Sequence, residues 1–151
     1  MILDARNEFC DATAINTGGA GTYLLGSQID LSVARDIGNG GAPYLVISVD
    51  TAPTSANSTA TATFTLASDS TASVATDGSA SVHLVTKAFA ISEMTAGTML
   101  AAIKLPIEGV AYERYLGILQ TTGTQAFTGG KINAFLTCDV AKWKAYADGI
   151  A

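Results

Sequence analysis

His83, in the stretch SVHLVTK, is the only histidine of the chain, and imidazole is the side chain best suited to move a proton near neutral pH. A lone imidazole excludes any metal site or relay built on two of them, and it leaves few routes to a Ser-His-Asp arrangement. No serine stands in the G-x-S-x-G context that holds a nucleophile on a sharp strand-to-helix turn. Strand alternation sets Val82 and Leu84 on one face and His83 on the other with Val85 and Lys87, so His83 reads as a sheet-surface residue. Glu108 and Glu113 are the nearest approach to paired carboxylates. They flank a turn with nothing in sequence to perturb them, and read as solvated charges.

The remaining candidates for chemistry fail on spacing. Gly38, Gly40 and Gly41 of IGNGGAP are followed by Pro43 and a strand, where a phosphate loop needs a further glycine and a helix start. GGAGTY (18–23) runs into a strand in the same way. Asp69 and Asp77 lack the alternating oxygen ligands of a calcium loop. Cys10 and Cys138, the only cysteines, are too few for a four-cysteine zinc site and read as small reduced hydrophobes, able to meet only if the N-terminal segment lies beside the last strand. The expectation is a protein that is not an enzyme, with no catalytic, cofactor-binding or metal-ligating residue and no cofactor.

Composition narrows the partners. Charged residues make up 14% of the 151, against about 25% in ordinary globular domains, while Ala, Ser, Thr and Gly abound. Such a surface is small and neutral and suits a chain that works inside an assembly. The net charge of −5 has the wrong sign for binding phosphate backbones, so direct nucleic-acid binding is not expected. MILDARNEFCD turns acidic by its fourth residue and no window holds 18 uninterrupted apolar residues, which argues against a leader or a membrane partner.

The elements that would have to position any site are strands and turns. TYLLGSQIDL (22–31) and YLVISVD (44–50) read as strands around a glycine-rich loop. TATFTLA sets Ala62, Phe64 and Leu66 on one face and Thr61, Thr63 and Thr65 on the other. ASVAT, an Asp77-Gly78 turn and SVHLVTKAFAI (81–91) read as a hairpin with a long second arm, while TMLAAIKLP (98–106) fits a short helix or a strand, its small size, Thr98 and the terminating Pro106 favouring the strand. RYLGILQTT and KINAFLTCDV read as the arms of a further hairpin, with Leu116, Ile118, Ile132 and Phe135 in the core and Thr121, Thr122, Thr124 and Thr128 on a neutral surface. Seven or eight strands with no long amphipathic helix predict an all-β, jelly-roll-type antiparallel sandwich. Residues 1–21 read as an N-terminal arm rather than a first edge strand, 22–140 as the sandwich, and 141–151 as a docking tail, all in one domain.

In this order along the chain, LDARNEFCDATAI, IGNGGAPYLVISV, ERYLGILQTTG and FTGGKINAFLTCDV, followed by an aromatic tail ending in Asp148-Gly149, resemble the cementing (decoration) proteins of tailed-phage capsids, of the kind found in Bordetella phage and related short-tailed phages. The resemblance implies a jelly roll that clamps the outside of an HK97-like shell. Its partners would be the major capsid protein and other copies of itself, a dimer favoured and a trimer second. Its place would be the outer face of the virion capsid, after synthesis in the host bacterial cytoplasm. The contact candidates are Ile2, Leu3 and Phe9 of the arm, Tyr112, Arg114 and Tyr115 beside the last pair of strands, and Trp143 and Tyr146 of the tail. A carbohydrate- or receptor-binding sandwich is the alternative that the same fold would serve.

Overall fold

A computed structural model describes residues 4–34, 41, 43–106 and 109–140. Nine strands follow in chain order: β1 Glu8–Ala14, β2 Gly21–Asp30, β3 Tyr44–Ser55, β4 Thr61–Asp69, β5 Ser81–Val85, β6 Phe89–Ala90, β7 Met99–Lys104, β8 Tyr115–Gly123 and β9 Phe127–Thr137. Short 3₁₀ turns occupy Ala5–Asn7 and Ile91–Glu93. The strands form two antiparallel sheets, one ordered β1-β9-β3-β7 and the other β2-β8-β4-β5, with β6 paired to β4 beyond β5. Counted with β5 and β6 as one interrupted strand, this is the order of a jelly roll, in which successive strands alternate between two facing sheets except at the β4–β5 step, which stays in one sheet.

The interior follows from period-two patterning. Ala62, Phe64 and Leu66 of β4 and Leu116 and Ile118 of β8 face Leu45, Ile47 and Val49 of β3 and Ile132, Ala134 and Leu136 of β9 in one buried cluster. Removing a Phe, Leu or Ile side chain of this kind from water stabilises the fold by roughly 1.5–3 kcal/mol each. At one side the sheets close tightly, because Gly26 of β2 has φ +69 and an added Cβ would lie 2.0 Å from the carbonyl oxygen of Phe9 on β1. Only glycine meets both conditions. Met94, in the connection before β7, is buried in the same core.

The outer face of the β2-β8-β4-β5 sheet carries a second, smaller cluster, in which Val74 and Ala80 of the β4–β5 connection pack on Ala67, Leu119 and Leu24. Asp69 folds that connection by accepting the Thr71 amide at 3.0 Å and the Ala75 amide at 3.1 Å, and Gln28 anchors it by accepting the Val74 amide at 2.7 Å. Gly117 leaves room beneath, since a Cβ there would meet Leu24 and Val74 at 3.0 and 3.1 Å.

Several expectations are corrected. RYLGILQTT and KINAFLTCDV are not a hairpin: β8 pairs with β2 and β4, β9 pairs with β1 and β3, and the chain crosses between sheets at 124–126. Two strands with one apolar face each bury those faces by facing one another across a core as readily as by lying side by side. Thr122 is buried, and Phe135 is buried on the face opposite Ile132, Ala134 and Leu136, paired there with the buried Val46. ASVAT forms no strand; the partner of β5 is β4, and residues 86–88 break the long second arm. The segment read as an arm contains the edge strand β1, which pairs with β9. β1 does lie beside the last strand, but Cys10 sits opposite Ala134 and is buried, while Cys138 is exposed, and both thiols are free.

Candidate contact surfaces

Asp30 ends β2 and is paired with Tyr115, the first residue of β8, so the residue before Tyr115 is held at the same corner. Arg114 there donates from Nε to Asp30 Oδ1 at 2.9 Å and from Nη2 to Asp30 Oδ2 at 2.9 Å, and its guanidinium lies 4.9 Å from the centre of the Tyr115 ring. The Leu31 amide closes the corner by donating to the Arg114 carbonyl at 2.8 Å. Hydrogen bonding from Arg114, with the Ser32 amide second, lowers the Asp30 carboxyl to about 2. Both side chains of the ion pair remain nearly half exposed. A planar cation fixed over an aromatic ring at an exposed corner is a preorganised contact, because little freedom is left to lose on binding.

A second cluster lies behind this corner. The His83 ring stacks on Tyr112 with centroids 3.9 Å apart and planes 17° from parallel. His83 Nε2 is 2.7 Å from the hydroxyl of Ser68, which accepts the Glu113 amide at 2.9 Å, and the Glu113 carboxylate accepts the Ser81 hydroxyl at 2.6 Å. Desolvation lowers the His83 pKa, against the opposing pull of Glu113 and of the Val110 carbonyl. His83 is thus half-buried rather than a plain surface residue. The cause is a register shift in the β4–β5 ladder, with Leu66 opposite Leu84 but Ala67 opposite Val82, so Val82 and Leu84 do not share an environment. Val82 is exposed while Leu84 packs on the main core.

Two of the expected contact residues turn inward. Phe9 is 2% exposed and belongs to the main core, because β1 is a strand of the sheet and not a free arm. Tyr112 is 4% exposed and donates its hydroxyl to the Pro106 carbonyl at 2.9 Å. Arg114 and Tyr115 stay at the surface as described. Ile2, Leu3, Trp143 and Tyr146 lie outside the described residues, as does Glu108.

The structure adds surfaces that residue types alone did not mark. Strands β5 and β7 each pair on one side only and carry the exposed aliphatic side chains of Val82 and Val85 and of Met99 and Ile103. At one end of the sandwich the turns 15–20, 56–60 and 124–126 hold no charged residue, and Gln125 ties two of them by accepting the Thr59 hydroxyl at 2.9 Å and the Asn57 amide at 3.3 Å. Alternation in MLAAIK and the neutral composition of these turns were the available signals. Asp30, the partner of Arg114, lies 84 residues away in sequence and had none.

Among the described residues no three His, Cys, Asp or Glu side chains gather as metal ligands. Burial pushes the Cys10 thiol up to about 12, which makes it inert at neutral pH. No helix among the described residues is long and apolar enough to cross a membrane. Comparison with curated proteins returns no match. A family model described as Bbp16 matches residues 9–136, from the first strand to nearly the end of the last, and on that span this chain belongs to the Bbp16 family.

Proposed function

We propose that the chain is a structural virion protein that binds the outer surface of an HK97-like phage capsid and cements neighbouring major capsid proteins. The observation that carries the reading is the Bbp16 match over residues 9–136, which takes in IGNGGAPYLVISV and ERYLGILQTTG and most of FTGGKINAFLTCDV. The jelly-roll scaffold and the shortage of surface charge support it. The mechanism is linkage: a subunit that binds only the assembled shell stabilises that state by mass action, and many weak contacts add through multivalency. No bond is made or broken.

The Arg114–Tyr115 corner is the first contact to test, and the exposed aliphatics of β5 and β7 suit contact with a second copy, a symmetric dimer first and a trimer second. Purified protein mixed with shells stripped of decoration should bind in fixed stoichiometry and raise the temperature at which particles release DNA. Arg114→Ala should weaken that binding about tenfold. Absence of both binding and stabilisation would count decisively against the reading.

A further inference from the structure

We infer that His83 is a pH-operated latch that holds the connection between β7 and β8 against the edge of the β2-β8-β4-β5 sheet. The geometry allots a role to His83 Nε2. Ser68 is fully buried on β4, and its hydroxyl oxygen already accepts the Glu113 amide. The Glu113 amide can only donate, so the partner able to accept the buried Ser68 proton among the described hydrogen bonds is His83 Nε2 at 2.7 Å, in the form of the ring that leaves that nitrogen unprotonated. The Val110 carbonyl acts on the ring as an acceptor that favours a proton on it. The neutral ring thus joins β4, β5 and two points of the connection, Val110 and Glu113, while stacking on a third, Tyr112.

A proton from solvent at Nε2 reverses this arrangement. The imidazolium N–H would take up the second lone pair of the Ser68 oxygen, and the buried Ser68 proton would be left without its acceptor. The groups around the ring decide whether the cation is tolerated. The connection presents Glu113, whose carboxylate favours it, and Tyr112, which stacks as an uncharged ring. β5 presents the neutral Ser81, bonded to Glu113, and β4 the neutral Ser68. Asp69 belongs to the opposite face of β4, where its carboxylate is taken up by the 71 and 75 amides. Burial of the ring outweighs Glu113, so the neutral form is preferred in the folded protein. The unfolded chain, with an ordinary histidine near pH 6.5, then takes up the proton first, and stability falls as pH drops below about 6.5 toward the folded value.

Because the chain has one histidine, the ring can be read without assignment ambiguity. The test is an NMR titration of the intact protein from pH 8 to 5, with amide exchange corrected for its intrinsic pH dependence. The expected result is a ring midpoint below about 6.5 and, across that same midpoint, a loss of at least about tenfold in the protection of the Glu113 amide, as befits a local opening. Ser68→Ala should abolish the coupled change at Glu113, and His83→Gln should flatten the pH dependence of Tm between pH 7.5 and 5. A ring midpoint at or above 6.5, or a Glu113 amide whose protection ignores the titration, overturns the inference. The wild-type measurement decides the matter even if a variant fails to fold.

Discussion

Gln120 is a polar side chain placed where only apolar ones are expected, fully buried on the inward face of β8. Its Oε1 accepts the Asn16 amide at 2.8 Å, and its Nε2 donates to the Asn16 carbonyl at 3.0 Å and to the Thr122 hydroxyl at 2.8 Å. A side-chain amide that matches both backbone groups of one residue acts as a short extra piece of sheet, and it fixes the turn between β1 and β2. Gln120→Ala should cost about 2–4 kcal/mol in chemical denaturation, the sum of stranded polar groups and a cavity. Asp30 makes the contrasting case of an exposed group. Its carboxyl, held at about 2 against an ordinary 3.8, contributes stability that is present above about 3.8 and lost as pH falls toward 2. Arg114→Ala should return the Asp30 midpoint toward 3.8, as followed by carboxyl NMR, and high salt should shrink the difference. Arg114 and Tyr115 could be singled out from residue type alone. Tyr112, of the same type as Tyr115 and three residues before it, turned inward because its hydroxyl found a carbonyl acceptor at Pro106, which no spacing announces.

At the scale of elements, alternation identified faces and failed to identify partners. TATFTLA was legible because a period of two assigns its faces, and Ala62, Phe64 and Leu66 are buried as it requires, although Thr65 and Ala67 of the other face are buried as well, Ala67 under the outer cluster. TMLAAIKLP fits a short helix as well as a strand, and its small size, Thr98 and the terminating Pro106 rather than alternation pointed to β7, Met99–Lys104. Alternation could not say that β8 and β9 lie in different sheets, since period-two patterning is identical in both cases. It also misplaced Phe135, which stands three residues from Ile132 and must therefore face the other way. β1 was illegible for a third reason. Its register slips between Glu8 and Cys10 and again between Cys10 and Thr13, with Ala12 at φ 42, so no period survives over seven residues. An arm and an edge strand make different forecasts on truncation. Removing residues 1–7 should leave the β-sheet circular-dichroism signal intact, whereas removal through Ala14 takes away Phe9, Cys10 and the edge of a sheet and should unfold the protein.

At the scale of the whole molecule, the all-β sandwich class could be read from strand count and turn spacing, but the jelly-roll order depends on pairings far apart in sequence. β1 meets β9, and β2 meets β8. Such topologies fold slowly, because loop closure must precede any reward from contact. The strand orders β1-β9-β3-β7 and β2-β8-β4-β5 carry one more consequence. Strands β8 and β9 are interior strands of their sheets, each bridging neighbours that do not pair with one another. On the ribosome, the strands up to β7 can pair only as β3 with β7 and as β4 with β5 and β6, which leaves β1 and β2 without a native partner. Completion of both sheets is thereby deferred until β9 has been made, and a chain cut short before Tyr115 leaves one edge each of β3 and β4 unpaired.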